Sequence, residues 1–188
     1  NVLYAFYDMP DVIHDCMKTW FELADAVSAR HQRYVTIDKL FFGEDICYNH
    51  GPLISPDMMS EFLLPYYQQL ITNIKRQIDR TRHLYFEIDT DGFANPTIPI
   101  YRELGMDVMS PFEVASGCDV VEVGRQYPDL VLRGGIDKRV LAAGRAAIDA
   151  HPELVRDTAG LDDAAILKRI GAEESHPEGL FMPETYGF

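Results

Sequence analysis

Short apolar segments with strand character alternate along this chain with helical segments, and this alternation is the feature that most constrains the fold. Strands are predicted over 34–42, 84–88, 107–110, 130–132 and 179–182, where β-branched and aromatic residues concentrate. Strands separated by helices run parallel, because each crossover helix returns the chain to the same end of the sheet. The sequence therefore predicts the α/β class with a parallel sheet.

The helical segments have recognisable limits. The first thirty residues repeat apolar positions at three- and four-residue steps, which is typical of an amphipathic helix. Ser55 and Pro56 supply an N-cap and a first helical residue for a helix expected to reach about Ile78, and Pro65 should bend it. Further helices are predicted over 97–104, 118–127 and 138–170, the last broken near Pro152 and Gly160.

Each of the first four predicted strands is followed by an acidic or glycine-rich corner. The corners are Glu44-Asp45, Asp89-Thr90-Asp91-Gly92, Glu113 and Gly134-Gly135-Ile136-Asp137. In parallel α/β folds the C-terminal strand ends line the ligand site. A doubly wound sheet concentrates its chemistry at one switch point, so successive polar corners favour a (β/α)8 TIM barrel. Five strands do not close such a barrel, and either a missing N-terminal part or a second chain would supply the others.

Size and charge exclude several classes of function. The chain has 188 residues, which is one domain over residues 1–188 or a piece of a larger one, and its formal net charge is −13. A surface with this much negative charge repels phosphate backbones and anionic lipids. We therefore expect neither a nucleic-acid partner nor a membrane partner. The sequence has no apolar run of about 18 residues, and its opening residues do not predict a basic-then-apolar secretory leader. Its three cysteines show no CxxC spacing, which favours buried thiols in a reducing cytoplasm.

The corners belong to a longer series of short motifs that resembles the uroporphyrinogen decarboxylase family. In chain order the motifs are Gly43-Glu44-Asp45-Ile46, Ile54-Ser55-Pro56, Leu64-Pro65-Tyr66, Asp89-Thr90-Asp91-Gly92, Ile98-Pro99, Glu103-Leu104-Gly105-Met106-Asp107, Pro111-Phe112-Glu113, Asp119-Val120 and Gly134-Gly135-Ile136-Asp137. Each motif is weak alone, but together they span nearly the whole chain in order. The resemblance implies a (β/α)8 TIM barrel, of which this chain is the C-terminal portion with about the last five strands and without the N-terminal ones.

The family contains uroporphyrinogen decarboxylases, which are carboxy-lyases of porphyrin biosynthesis, and corrinoid-linked methyltransferases. The resemblance implies that, at the position matching Asp45, the decarboxylases have a small hydroxyl residue that contacts the substrate. Near the last strand they have a histidine where this chain has Tyr186. The zinc-dependent methyltransferases have a His-x-Cys pair where this chain has Glu87-Ile88-Asp89, so the usual zinc site is not expected. These differences favour a methyltransferase-like branch slightly over the decarboxylase.

The resemblance implies an enzyme that acts on a small tetrapyrrole or corrinoid-linked substrate. It also implies a corrinoid as co-substrate, a corrinoid protein as a possible partner, and a homo-oligomer or a second chain that supplies the absent strands. An alternative from another class is a non-catalytic barrel fragment that pairs with another chain.

The candidate site residues follow from the convergence of the corners. Like charges a few Å apart cannot all ionise, so some carboxylates should have a raised pKa and serve as acids or bases. We predict catalytic roles for Asp45, Asp91 and Glu113. We predict substrate binding by Tyr48, Arg133, Asp137 and Tyr186. The sequence gives weaker support for a divalent-cation site at Glu87 and Asp89.

Simpler roles remain open for several of these side chains. Asp91 and Asp137 could cap the helices that follow them, as aspartates in turns commonly do. Glu113 could form a salt bridge with Arg133 across adjacent strands, and a structural pairing would leave neither free for substrate. The glycines Gly134 and Gly135 could expose N–H groups to an anion or simply form a tight turn.

Overall fold

A computed structural model of the chain describes residues 2–150. The helices are α1 (Val2–Asp8), α2 (Pro10–His31), α3 (Pro56–Phe62), α4 (Leu64–Lys75), α5 (Ile98–Glu103), α6 (Val120–Gln126), α7 (Lys138–Ala142) and α8 (Arg145–Ala150). The strands are β1 (Lys39–Gly43), β2 (Cys47–Tyr48), β3 (Gly51–Pro52), β4 (Tyr85–Asp89), β5 (Val108–Phe112) and β6 (Val131–Gly134). The chain divides into two compact units, Asn1–Lys138 and Arg139–Phe188. The sheet and the candidate site belong to the first unit, and the single domain over 1–188 stays a prediction.

Four strands form one parallel sheet in the order β1-β4-β5-β6. Phe41 lies opposite Glu87, Glu87 opposite Val108, and Val108 opposite Val131. The short strands β2 and β3 form a separate antiparallel pair between β1 and α3. The predicted α/β class with parallel strands is confirmed, and each strand lies beside the next long strand in the chain. Closure of these strands into a barrel stays a prediction.

One face of this sheet carries the hydrophobic core. Phe42 of β1 and Phe86 of β4 are buried, and their rings meet edge-on with centroids 4.9 Å apart. Tyr67 of α4 contacts Phe42, and Trp20 of α2 contacts both Phe42 and Tyr67. The helices thus cover this face, and the alternation of buried and exposed residues along β1 follows from it.

The opposite face of the sheet is exposed to solvent at β1 and β4. Phe41 and Tyr85 project from it and are 54% and 45% exposed. Over the same residues, β1 and β6 each have a strand neighbour on one side only. Parallel sheets are normally covered on both faces, so this open face is unusual for the class.

The four strands predicted before residue 133 are observed with changed limits. The antiparallel pair of β2 and β3 was not predicted, and the single helix predicted over the first thirty residues is divided into α1 and α2. The strand expected from residue 34 begins at Lys39, because Tyr34 and Val35 lie in a turn after α2 and are exposed. Ser55 caps α3 by accepting a hydrogen bond from the Met58 N–H, as predicted. Pro65 does more than bend the predicted helix, because α3 ends at Phe62 and α4 begins at Leu64.

Three predicted features lie outside the described residues. They are the strand over 179–182, the helix breaks near Pro152 and Gly160, and the position of Tyr186. Before residue 151 the predicted helix over 138–170 is two short helices, α7 and α8. No helix among the residues from 2 to 150 has both the length and the apolar character needed to cross a bilayer.

Candidate functional site

The acidic corners after β1, β4 and β5 lie side by side at the C-terminal end of the sheet. Backbone hydrogen bonds continue the strand pairing beyond the strands themselves. The Glu44 N–H donates to the Asp89 carbonyl at 2.7 Å, and the Thr90 N–H donates to the Ser110 carbonyl at 2.8 Å. The carboxylates that this brings together are called the acidic mouth below, and they are Asp45, Asp89, Asp91 and Glu113.

Asp91 has the most unfavourable electrostatic surroundings in the acidic mouth. Partial loss of solvent raises its pKa, and the negative charges of Glu113, Asp45 and Asp89 raise it further. The ammonium group of Lys138 offsets part of this effect. Because the Asp91 side chain is still exposed to solvent, it can exchange protons with water or with a ligand. Asp91 is therefore the best candidate in the acidic mouth for a proton donor or acceptor.

Glu113 is held as an anion by two donors. The Gly92 N–H donates to its Oε2 at 2.8 Å, and Lys138 forms an ion pair with its other carboxylate oxygen. The Lys138 and Gly92 hydrogen bonds lower the pKa of Glu113. The alternative salt bridge from Glu113 to Arg133 is not formed, since Glu113 pairs with Lys138 and Arg133 pairs with Glu87. Glu113 fixes the corner of β4 to the corner of β5 and adds a permanent negative charge beside Asp91.

Glu87 is buried on the open face of the sheet and is surrounded by donors. Lys39 Nζ lies 2.8 Å from its Oε2, and Arg133 Nη1 lies 2.8 Å from its Oε1. Burial by itself would raise the pKa of Glu87, but the hydrogen bonds and charges of Lys39 and Arg133 outweigh burial and lower it. The group formed by Lys39, Glu87 and Arg133 is called the ion cluster below.

The ion cluster does not fit the predicted cation site. Both Glu87 oxygens already accept hydrogen bonds from cationic side chains, which disfavours a further positive ion. The Ser110 hydroxyl lies 3.1 Å from Glu87 and 2.8 Å from Asp89. In the described part of the chain, no group of three or more His, Cys, Asp or Glu side chains is arranged to hold a metal ion. The predicted ligands Glu87 and Asp89 do project to the same side of β4, as expected, since both contact Ser110.

The predicted substrate-binding residues occupy different positions. Tyr48 lies on β2 and is half exposed, and its carbonyl accepts a hydrogen bond from the Phe93 N–H beside the acidic mouth. Arg133 belongs to the ion cluster. Asp137 precedes Lys138, whose pKa is raised chiefly by Glu113 and further by the charges of Asp91 and Asp137. Tyr186 lies outside the described residues.

Glu44 is a site residue that the sequence reasoning did not single out. Tyr101, which is fully buried, donates from its hydroxyl to Glu44 Oε2 at 3.2 Å, and the buried Tyr67 also donates to this carboxyl group. Burial raises the pKa of Glu44 more than these two hydrogen bonds lower it. The available signal was strand alternation, since Glu44 continues the buried series Leu40 and Phe42.

We expect Glu44→Gln to change how stability depends on pH. The folded state binds the Glu44 proton more tightly than the unfolded state, so wild-type stability falls as pH rises above about 4.5 through the raised pKa. Glutamine cannot ionise, so the variant should gain stability relative to wild type as pH rises from about 4.5 to neutrality. Urea denaturation across this range measures the difference. Glu61→Gln, on the exposed surface of α3, is the matched control, and equal pH dependence in Glu44→Gln and wild type would contradict the expectation.

Gly92 allows two corners to meet closely. Its φ is +85°, and a Cβ there would lie 2.6 Å from the carbonyl carbon and oxygen of Tyr48. Any larger residue would therefore push the hairpin of β2 and β3 away from the acidic mouth.

Gly92→Ala should lower the free energy of unfolding by about 2–4 kcal/mol, because a positive φ and a backbone clash add together. Gly105→Ala is a matched control, since Gly105 has a φ of +83° with no atom within 4 Å of the added Cβ. It should cost only about 1 kcal/mol. Chemical denaturation of both variants tests the difference, and equal losses would show that the close approach at Tyr48 has no energetic weight.

Comparison of the chain with protein-family models, with curated proteins and with solved structures finds no match in any of the three. The geometry of the described residues alone defines the class, which is an α/β protein with a parallel sheet and an acidic mouth at its C-terminal strand ends.

Proposed function

We propose that the chain is part of an enzyme barrel of the uroporphyrinogen decarboxylase type that acts on a tetrapyrrole or corrinoid-linked substrate at the acidic mouth. We prefer corrinoid-dependent methyl transfer to decarboxylation. The single observation that carries the proposal is the meeting of three successive acidic corners beside parallel strands, with Asp91 raised in pKa among them. Such a carboxyl group suits proton transfer near neutral pH better than an ordinary aspartate does.

The open face of the sheet supports the barrel. Its ion cluster and its exposed rings Phe41 and Tyr85 would be shielded if further strands closed the sheet around them. Barrel interiors are packed with side chains from the inner faces of the strands, and Glu87 with its two cations would form one polar layer there. In this arrangement the acidic mouth lies at the end of the barrel where such enzymes bind their ligands.

The charge of the acidic mouth supports methyl transfer over decarboxylation. Four carboxylates lie there, and the cationic side chain that pairs with one of them is Lys138. Two like charges about 4 Å apart repel by roughly 4 kcal/mol at an effective dielectric constant near 20. A substrate with many carboxylates would meet this repulsion repeatedly. A nucleophile that must lose a proton before it accepts a methyl group would instead find a base in Asp91.

The two branches are separated by direct assay of the full chain. We expect methylcobalamin to bind, detected by its visible absorbance or by quenching of Trp20 fluorescence, and Asp91→Asn to leave this binding intact. Incubation with uroporphyrinogen should yield no coproporphyrinogen at enzyme-like rates. If coproporphyrinogen forms and methylcobalamin does not bind, the decarboxylase branch replaces our preference. If neither ligand binds, the proposed function is wrong.

A second candidate is a non-catalytic barrel fragment that pairs with another chain. The uncovered sheet face and the one-sided strands β1 and β6 favour it, because natural proteins seldom leave strand edges open. This candidate requires a dimer or a stable complex. Sedimentation velocity of the 21.4 kDa chain tests it, and a compact monomer would contradict it.

A further inference from the structure

Asp45 has an unusual backbone conformation for a residue with a side chain. Its φ is +44°, and among the residues between 2 and 150 it is the non-glycine residue with a positive φ. Left-handed backbone at such a position persists only where the surrounding structure enforces it, and it concentrates at functional sites. The neighbours of Asp45 should therefore contain the groups that hold it.

Thr90 supplies one of these groups. Its side chain is fully buried, and its Oγ1 accepts hydrogen bonds from the Ile46 N–H at 3.2 Å and the Cys47 N–H at 3.1 Å. These two amides directly follow Asp45 in the chain. A buried hydroxyl that accepts from consecutive backbone N–H groups fixes both peptide planes, because a buried donor without a partner is costly.

The residue on the other side of Asp45 is fixed as well. The Glu44 N–H donates to the Asp89 carbonyl, and the Glu44 carboxyl group accepts from the Tyr101 hydroxyl on the helical side of the sheet. Because Glu44 is held toward the helices and residues 46–47 are held by Thr90, the chain must turn sharply at Asp45. That turn leaves the Asp45 side chain exposed at the acidic mouth.

We propose that Thr90 is a positioning residue for Asp45, whose buried hydroxyl oxygen holds the left-handed turn that presents the Asp45 carboxylate to Asp91. This rests on the proposed function, in which Asp91 transfers protons, and it adds a residue that acts on Asp91 through Asp45. Thr90 itself touches no ligand. A hydroxyl is required at this position, whereas an isosteric apolar side chain would leave two amides without a partner.

The titration of Asp91 reports the position of Asp45. The charged groups that act on Asp91 are Glu113, Asp45, Asp89 and Lys138. Carboxyl ¹³C NMR of the full chain gives the Asp91 pKa without any knowledge of the substrate. Asp45→Asn should lower it, because one neighbouring negative charge is lost. Thr90→Val should lower it in the same direction, and Thr90→Ser should restore the wild-type value. Because the Thr90 hydroxyl also donates to the Asp91 carbonyl at 3.4 Å, the effect is assigned to Asp45 by adding Thr90→Val to Asp45→Asn, where it should cause no further shift.

Amide hydrogen exchange provides a second measurement on the wild-type chain alone. The Ile46 and Cys47 amides should exchange at least about tenfold more slowly than those of the exposed turn residues Asn49 and His50. The reason is that both N–H groups are buried and donate hydrogen bonds to Thr90 Oγ1. This measurement keeps the proposal testable if Thr90→Val does not fold.

The outcomes separate this proposal from the proposed function. An Asp91 pKa in Thr90→Val equal to wild type, or a Thr90→Ser value equal to that of Thr90→Val, would overturn the positioning role. Fast exchange at Ile46 and Cys47 would also overturn it. Failure to bind methylcobalamin, with the titration and exchange results as expected, would remove the proposed function and leave the positioning role in place.

Discussion

Asp91→Asn is expected to lower turnover by about 100-fold to 10,000-fold, whether the reaction that the chain catalyses is methyl transfer or decarboxylation. General acid–base groups commonly contribute that much, and asparagine has the shape of aspartate without a transferable proton. Substrate binding should change far less, because the amide can still form hydrogen bonds. Steady-state kinetics with separate kcat and KM measures the effect.

The pH profile gives an independent check on the same variant. In the wild type, one limb of the profile should follow the raised pKa of Asp91, and that limb should be missing in Asp91→Asn. Asp15→Asn, on the exposed surface of α2, makes the same chemical change away from the acidic mouth and should leave kcat unaltered. If Asp91→Asn retains wild-type kcat at every pH, another group transfers the proton.

Removing both cations of the ion cluster should have the largest effect on stability. The double variant Lys39→Met with Arg133→Met leaves the buried Glu87 carboxylate with a hydrogen bond from the Ser110 hydroxyl and no cation beside it among residues 2–150. Leaving a buried carboxylate without its cations costs about 3–5 kcal/mol in a closed interior. Because the Lys39 and Arg133 side chains are 31% and 52% exposed, the loss should lie at the lower end of that range. The free energy of unfolding from urea titrations at neutral pH should fall by that amount.

A triple variant tests the reason for this loss. Adding Glu87→Met removes the buried charge and should recover most of the lost stability, since apolar side chains of similar size often replace a buried ion pair without cost. A triple variant as unstable as the double one would show that packing, and not the unpaired carboxylate, caused the loss.

Acid should also weaken the wild-type ion cluster. The pKa of Glu87 is lower in the folded state than in the unfolded state, so the ionised carboxylate stabilises the fold above about pH 4.5. This contribution is lost as pH falls through the folded-state pKa.

Local sequence signals predicted the secondary structure well because their causes are local. Ser55 and Pro56 define a helix start through one side-chain hydrogen bond and one fixed φ, and both act within three residues. Pro65 interrupts a helix through its own missing N–H and its ring. The limits of β1 were less predictable, since Tyr34 and Val35 have strand character but no partner strand beside them.

The candidate site was predictable in its location and less so in its partners. Because the C-terminal ends of parallel strands lie at one edge of a sheet, the sequence placed Asp45, Asp91 and Glu113 at that edge, and the structure has them there. It did not indicate that Lys138 would pair with Glu113, nor that Arg133 would pair with Glu87. The family resemblance, the substrate and the enzyme class stay predictions.

The sequence by itself determined the order of strands and helices, their parallel arrangement and the acidic character of the corners, since periodicity and turn chemistry are written in neighbouring residues. Only the tertiary structure decided what those side chains do. Glu87 became the centre of an ion cluster because its partners come from strands 48 and 46 residues away along the chain, and Asp45 took a left-handed turn because a hydroxyl 44 residues distant binds the next amide. Such contacts depend on strand register and burial, which no short stretch of sequence specifies.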